Sequence, residues 1–179
     1  DVWGGPVNYD ASRVSLPEAG TQQAELSSLW GDGGDLIVRD FVSTKILPRE
    51  IAVQSLVDFG PKRAYGDPLL KSPVVYGEFL LRLQAAGVIE FTREACVEEV
   101  DCFFVGKSDG RQRLVVDCRR ANHHFADPAP VSLATGDCFA RLGAVDGSSD
   151  VVIGQVDIKD AFYRMALPHA LRPYFGLRR

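Results

Sequence analysis

Two short apolar runs separated by turn-forming residues constrain this chain more than any other feature. Phe103, Phe104 and Val105 make the first run, Leu114, Val115 and Val116 the second, and Ser108–Asp109–Gly110 lies between them. Aromatic and β-branched residues flanking an Asp-Gly pair read as a β-hairpin over Cys102–Asp117. A three-residue loop puts Gly110 in the left-handed position. In that register Lys107 stands opposite Arg111, and Arg113 shares their face through the two-residue period of a strand. Three cations on one face repel one another unless an anion or open water lies there. A two-residue Asp-Gly turn is the alternative, and it sends Lys107 to the face opposite Arg111 and Arg113.

The charge pattern singles out the same segment. The formal net charge is −4 over 179 residues, which argues weakly against a nucleic-acid partner. Residues 1–60 carry four basic and nine acidic residues, 61–102 five and seven, and 126–179 six and six. Only Phe103–Phe125 has a basic excess, five against two, a patch of the kind that binds phosphate. A solvated hairpin with a few arginines has the same composition.

An apolar fraction of 46% with 25% charged residues is that of an ordinary soluble protein, long enough for one core or parts of two subdomains. No run approaches a membrane span and no signal segment opens the chain, so an intracellular protein without a membrane partner is expected. The spacings of Cys96, Cys102, Cys118 and Cys138 are not those of a zinc site, and reduced thiols are expected. His123 and His124 are adjacent, a poor ligand pair in a strand. The chain opens on Asp1 and stops on Arg178–Arg179 straight after a structured-looking segment, which reads as a piece of a longer protein.

Residues 1–45 sustain no period and are expected to be irregular, with a short helix near Gln22–Trp30. Pro48 suits the first turn of a helix that uses Ile51, Leu56 and Val57 as apolar positions and stops at Gly60. Gly60–Pro61 and Asp67–Pro68 mark a loop. Ser72–Gly87 predicts the clearest helix: Ser72 as N-cap, Pro73 first, Tyr76, Phe79, Leu80 and Leu83 on one stripe, and Gly87 closing it. The acidic segment Glu94–Asp101 reads as solvated. Asp117, Arg119 and Asn122 suit either a structural ion-pair and turn cluster or a ligand site. Pro128, Pro130 and Gly136 frame a loop, and Asp137–Leu142 predicts a short helix.

Val151, Val152, Ile153 and Val156 read as a buried strand with Asp157 at its end and Asp160 three residues later. Burying an ionised carboxylate costs several kcal/mol unless a cation offsets it. An acid at the mouth of an apolar strand therefore points to a metal or a cationic ligand. Otherwise Asp160 caps the turn Ala161–Tyr163 and Asp157 ends the strand in solvent.

Taken together and in order, FFVGKSDGRQRLVVDCRRANHHF and QVDIKDAFYRMAL resemble the retroelement reverse transcriptases. The likeness covers roughly Ser72–Leu177: a helix ending in Gly-Val-Ile, a hairpin of the K-x-D-G-x-x-R-L-V-V-D-x-R-x-x-N type, a Pro-containing connector and a strand with D-x-x-x-A-F. It implies an α+β chain with the right-hand polymerase fold, fingers plus partial palm. The division it suggests is an N-terminal region 1–70, fingers 71–150 and the start of a palm at 151–179. The partners it implies are an RNA/DNA template-primer and a dNTP.

By the same resemblance Lys107 and Arg113 grip the incoming triphosphate, and Asp157 is the palm carboxylate that binds two catalytic Mg²⁺ ions. Asp160 and Ala161 lie beside the triphosphate and sugar. Phe162 stands under C2′, where an aromatic ring leaves no room for a 2′-hydroxyl and so selects deoxynucleotides. Asp117, Arg119 and Asn122 support the fingers near the template. Gly106 and Ser108 depart from the usual proline and second lysine, and residues before about 70 match nothing in the family. No Y-x-D-D turn occurs in the sequence, and one Asp does not assemble a two-metal site, so the piece by itself is expected to be inactive. Two alternatives stay open: a decayed or co-opted nucleic-acid-binding module without catalysis, and a relative of the RNA-dependent RNA polymerases.

Overall fold

The computed structural model describes residues 5–128, 130–133, 135–138, 154 and 156–178. The chain is a mixed α+β protein in which short strands frame one hairpin and helices precede it. The hairpin has the predicted three-residue loop. Strand β3 (Glu99–Gly106) pairs antiparallel with β4 (Gln112–Asp117), from Asp101↔Asp117 to Gly106↔Gln112. Past the last pair, the Lys107 N–H donates to the Arg111 carbonyl at 2.8 Å and the Gly110 N–H to the Lys107 carbonyl at 3.0 Å. Gly110 has φ +81°, where a side chain would be strained.

Strand β3 starts inside the acidic segment expected to be solvated. Val100, Cys102 and Phe104 alternate inward and are all buried, and Glu98 just before them is buried too. The two-residue period outweighs the local charge, because the acids at Glu99 and Asp101 alternate away from the buried residues.

Helix α3 (Pro73–Ala85) covers this inner face. Pro73 occupies its first position, Tyr76, Phe79 and Leu83 are buried, and Gly87 closes it at φ +70°. Ser72 holds the N-cap position without a side-chain hydrogen bond. The core joins Val14, Leu70, Tyr76, Phe79, Leu83, Cys102 and Phe104. The rings of Phe79 and Phe104 meet edge to face at 5.8 Å.

The N-terminal residues are not the loose surface chain expected of them. Strand β1 (Pro6–Val7) pairs antiparallel with β3 through Pro6↔Val105 and Val7↔Phe104. The chain then crosses to the outer edge of β4. There the Gln112 N–H donates to the Arg13 carbonyl at 2.7 Å and the Ser15 N–H to the Gln112 carbonyl at 2.9 Å. Residues 6–15 thus clasp the hairpin on both edges. Tyr9 seals the inside, with its ring 5.4 Å from Phe79 and 5.0 Å from Phe104.

The side chain of Gln112, only 2% exposed, completes the clasp. Its Nε2 donates to the Asn8 carbonyl at 2.8 Å, and its Oε1 accepts from the Asp10 N–H at 3.0 Å. Gln112→Ala orphans a carbonyl and an amide, so a loss of about 1–3 kcal/mol is expected in urea denaturation. A loss within experimental error would mean that the arm is held by its backbone pairing alone.

Helix α1 (Gly34–Lys45) was not anticipated. Where a short helix was expected near Gln22–Trp30, strand β2 (Ala24–Glu25) leads into a 3-10 stretch over Leu26–Gly33. Helix α2 (Arg49–Phe59) lies between Pro48 and Gly60 as predicted. Its buried residue is Ala52, however; of the expected apolar positions Leu56 is half-buried, while Ile51 and Val57 are exposed and do not face the core. The four-residue helix α4 (Arg119–Asn122) follows β4. Further on, β5 (Met165–Ala166) pairs parallel with β2, and β6 (Gly176–Leu177) pairs parallel with the start of β3.

Two units emerge: residues 1–126 with 160–179, and residues 127–159. Strands β1 and β3 pair across the sequence division at 70. In the smaller unit residues 136–138 are helical, and residues 139–142 of the predicted helix lie outside the described residues. Of the predicted strand, Val151, Val152 and Ile153 also lie outside them. Val156 is 89% exposed and unpaired, so the described end of that stretch is not a buried strand. β-branched residues favour a strand only where a neighbouring strand completes the hydrogen bonds.

Candidate functional site

The hairpin tip gathers opposite charges. Lys107, Asp109 and Arg111 come together because the three-residue loop sets Lys107 opposite Arg111 with Asp109 between them. Arg111 Nη2 lies 2.6 Å from Asp109 Oδ2, Arg111 Nε donates to the same oxygen at 2.8 Å, and the Arg111 N–H donates to Oδ1 at 3.0 Å. Lys107 Nζ stands 3.9 Å from Oδ2. The anion that a cationic face requires is thus supplied by the loop itself. Hydrogen bonds from Arg111 hold the Asp109 carboxyl below its ordinary range. Asp109, through its hydrogen bond and then its charge, raises Arg111, and the charge of Asp160 raises it further.

Arg113 pairs across the sheet with Val105 and is exposed. Its charge reaches Tyr163, whose hydroxyl is raised chiefly by burial, then by Asp160, and lowered by Arg113. The turn at Asp160 and the cations of the hairpin are therefore within electrostatic reach of each other. Arg13 Nε donates to the Gly110 carbonyl at 2.7 Å, which fixes the loop backbone from the N-terminal arm.

Asp160 adopts φ 57°, ψ 36°, the sole left-handed non-glycine among the described residues. Asp tolerates this region better than most residues. Its carboxylate does not cap the 3-10 turn Ala161–Arg164; its carbonyl accepts from the Tyr163 N–H at 2.9 Å instead. The turn is made by backbone, and the carboxylate is not spent on it. Ala161 is half-buried and Phe162 is 89% exposed, so Phe162 is not an ordinary core residue. Phe162 and Tyr163 border a groove of about 1080 Å³ that is also lined by Tyr76, Leu80, Leu114 and Phe175.

Asp117 is a structural carboxylate, 5% exposed. It accepts from Arg119 Nε at 2.9 Å, Arg119 Nη2 at 2.8 Å, the Arg119 N–H at 3.1 Å and the Tyr65 N–H at 2.6 Å. The Arg119 hydrogen bonds lead in pulling its pKa down to about 2, against the opposing effect of burial. Of the two readings left open for this cluster, the ion pair and turn describes Asp117 and Arg119. Asn122 is exposed at the end of α4.

A second buried carboxylate was missed in the sequence. Glu98 accepts from Arg120 Nε at 2.8 Å and Nη2 at 3.2 Å, and its Oε2 lies 3.3 Å from His124 Nε2. Burial raises its pKa, but the hydrogen bonds from Arg120, the Glu99 N–H and His124 outweigh it and hold the carboxyl low. His123 Nδ1 pairs separately with Ser55 Oγ at 2.8 Å. The four cysteines are free thiols, and burial pushes Cys102 up to about 12.

Asp157 belongs to the unit of residues 127–159 and is exposed on irregular chain. Among the described residues no three His, Cys, Asp or Glu come together as a metal site. These residues alone do not fit the pair of Mg²⁺ ions. No helix among the described residues is long and apolar enough to cross a membrane. Comparison of the chain with models of known families, with curated proteins and with solved structures gives no match.

Proposed function

We propose that this chain is the fingers and early palm of a retroelement reverse transcriptase with the right-hand polymerase fold. Such an enzyme is an RNA-directed DNA polymerase, a nucleotidyltransferase that adds dNTPs to a primer on an RNA/DNA template. The observation that carries the proposal is the register of the hairpin. It sets Lys107 opposite Arg111 and keeps Arg113 on the same face of β4. Phosphoryl transfer builds charge on non-bridging oxygens, and cations held in place stabilise it. An arginine does so with a planar fork and a lysine as a point charge.

The exposed ring of Phe162, next to the unspent carboxylate of Asp160 and beside Ala161, supports a sugar-selecting position. Asp117 and Arg119 brace the far end of the hairpin, as a fingers support would. Asp157 is one of the Mg²⁺ carboxylates of the parent enzyme. The others come, on this proposal, from a Y-x-D-D turn further along the gene, and the chain alone is inactive.

Two experiments test this. Sequencing the transcript past Arg179 should reveal a Y-x-D-D-like strand pair. An intact open frame without one overturns the enzymatic reading and leaves a nucleic-acid-binding module. Filter binding of a template-primer at several salt concentrations should show affinity falling steeply with salt. Lys107→Ala and Arg113→Ala should each flatten the log–log slope by roughly 0.7–0.9. Binding without salt dependence would exclude phosphate contacts altogether.

A further inference from the structure

We propose that Asp109 is a resident stand-in for phosphate, a carboxylate that occupies the cations of the hairpin tip until a polyphosphate displaces it. The proposal rests on the phosphate-binding reading above and adds two residues to it, Asp109 and Arg111. Asp109 makes the contacts an incoming anion would make. Its Oδ2 takes Arg111 Nε at 2.8 Å and Nη2 at 2.6 Å, and Lys107 Nζ lies 3.9 Å away. The lysine is thus attracted without being hydrogen-bonded, while the guanidinium is engaged.

All three side chains reach water. Ion pairs of this kind are weak, so an anion of higher charge can exchange with the carboxylate. A polyphosphate offers more charge and more acceptor oxygens than one carboxylate. The exchange does not require the loop to refold. Its backbone is held by the Gly110 N–H on the Lys107 carbonyl and by Arg13 Nε on the Gly110 carbonyl, so the one backbone bond given up with the carboxylate is the Arg111 N–H on Oδ1. Release is a rotation of side chains. The charge of Asp160 also bears on Arg111.

The test is calorimetric titration of the full chain with inorganic tripolyphosphate at low salt. Asp109→Asn keeps a side-chain acceptor for the Arg111 N–H and removes the charge. It should bind about two- to five-fold more tightly than the parent chain. In an Arg111→Ala background the same change should give a much smaller gain, because only Lys107, 3.9 Å from the carboxylate, is left to free. Lys107→Ala and Arg113→Ala are the arms that report on the site itself. If they weaken binding while Asp109→Asn leaves it unchanged or weaker, the stand-in role is wrong and the site stands. If neither weakens binding, the site reading fails and the stand-in role fails with it.

Discussion

Phe104→Ala should lower the stability of the larger unit by about 3–5 kcal/mol, a large share of the 5–15 kcal/mol typical of whole proteins. The ring is fully buried and is shared by three parts of the chain. It lies in β3, meets Tyr9 of the arm at 5.0 Å, and packs edge to face on Phe79 of α3 at 5.8 Å. Alanine leaves a cavity that none of the three can fill without breaking strand pairing. The measurement is urea denaturation followed by circular dichroism, with a lower midpoint and an unchanged slope. Phe162→Ala is the control. That ring is 89% exposed, and its loss should stay within about 0.5 kcal/mol. Comparable losses in the two variants would mean that the core is not where these contacts put it.

Asp117 governs the second large effect, and its sign follows from its lowered pKa. The carboxyl titrates near 2 in the folded chain against an ordinary 3.8. A group whose pKa is depressed by folding adds stability above its unfolded value and loses it as the pH falls toward the folded one. Asp117 therefore contributes about 2 kcal/mol that is present above pH ~4 and disappears between pH ~4 and ~2. Asp117→Asn should cost about 2–4 kcal/mol at neutral pH, because Arg119 and the Tyr65 N–H lose their charged acceptor. Since Glu98 also titrates low, the informative quantity is the difference between parent and variant across pH 2–7. That difference should shrink toward acid. A constant difference would mean that Asp117 is not ionised in the folded chain.

What could be read from the sequence was whatever repeats at short range. Tyr76, Phe79 and Leu83 lie on one helical stripe bounded by Pro73 and Gly87, and they are buried as that spacing requires. The hairpin was legible because apolar runs and a Gly at the left-handed position specify a three-residue loop. Helix α1 escaped because Leu36, Ile37 and Phe41 are all exposed, so no core-facing stripe marks it. The arm escaped for another reason: backbone pairing leaves no pattern in side chains, and Gln112 looks like any polar strand residue until Asn8 and Asp10 are placed beside it.

The candidate site divides the same way. Glu98 lay in an acidic run, and its partners Arg120 and His124 come 22 and 26 residues later, so a pairing made only in three dimensions had no local signal. Asp109 was within two residues of both its cations and was readable. The β-branched residues before Asp157 suggested a strand, but Val156 has no partner strand among the described residues, and composition alone does not supply one.

The clasp also bears on how the chain is made. Asn8 and Gln112 are separated by 104 residues, so the arm leaves the ribosome long before the hairpin it will hold. At typical synthesis rates it waits roughly 5–20 seconds with its hydrogen-bonding groups met by water alone. Once β3 and β4 have paired, they offer two open edges to any other nascent strand until the arm, and β6 at the start of β3, pair with them. Residues 6–15 cover part of those edges, on β3 at Phe104 and Val105 and on β4 at Gln112.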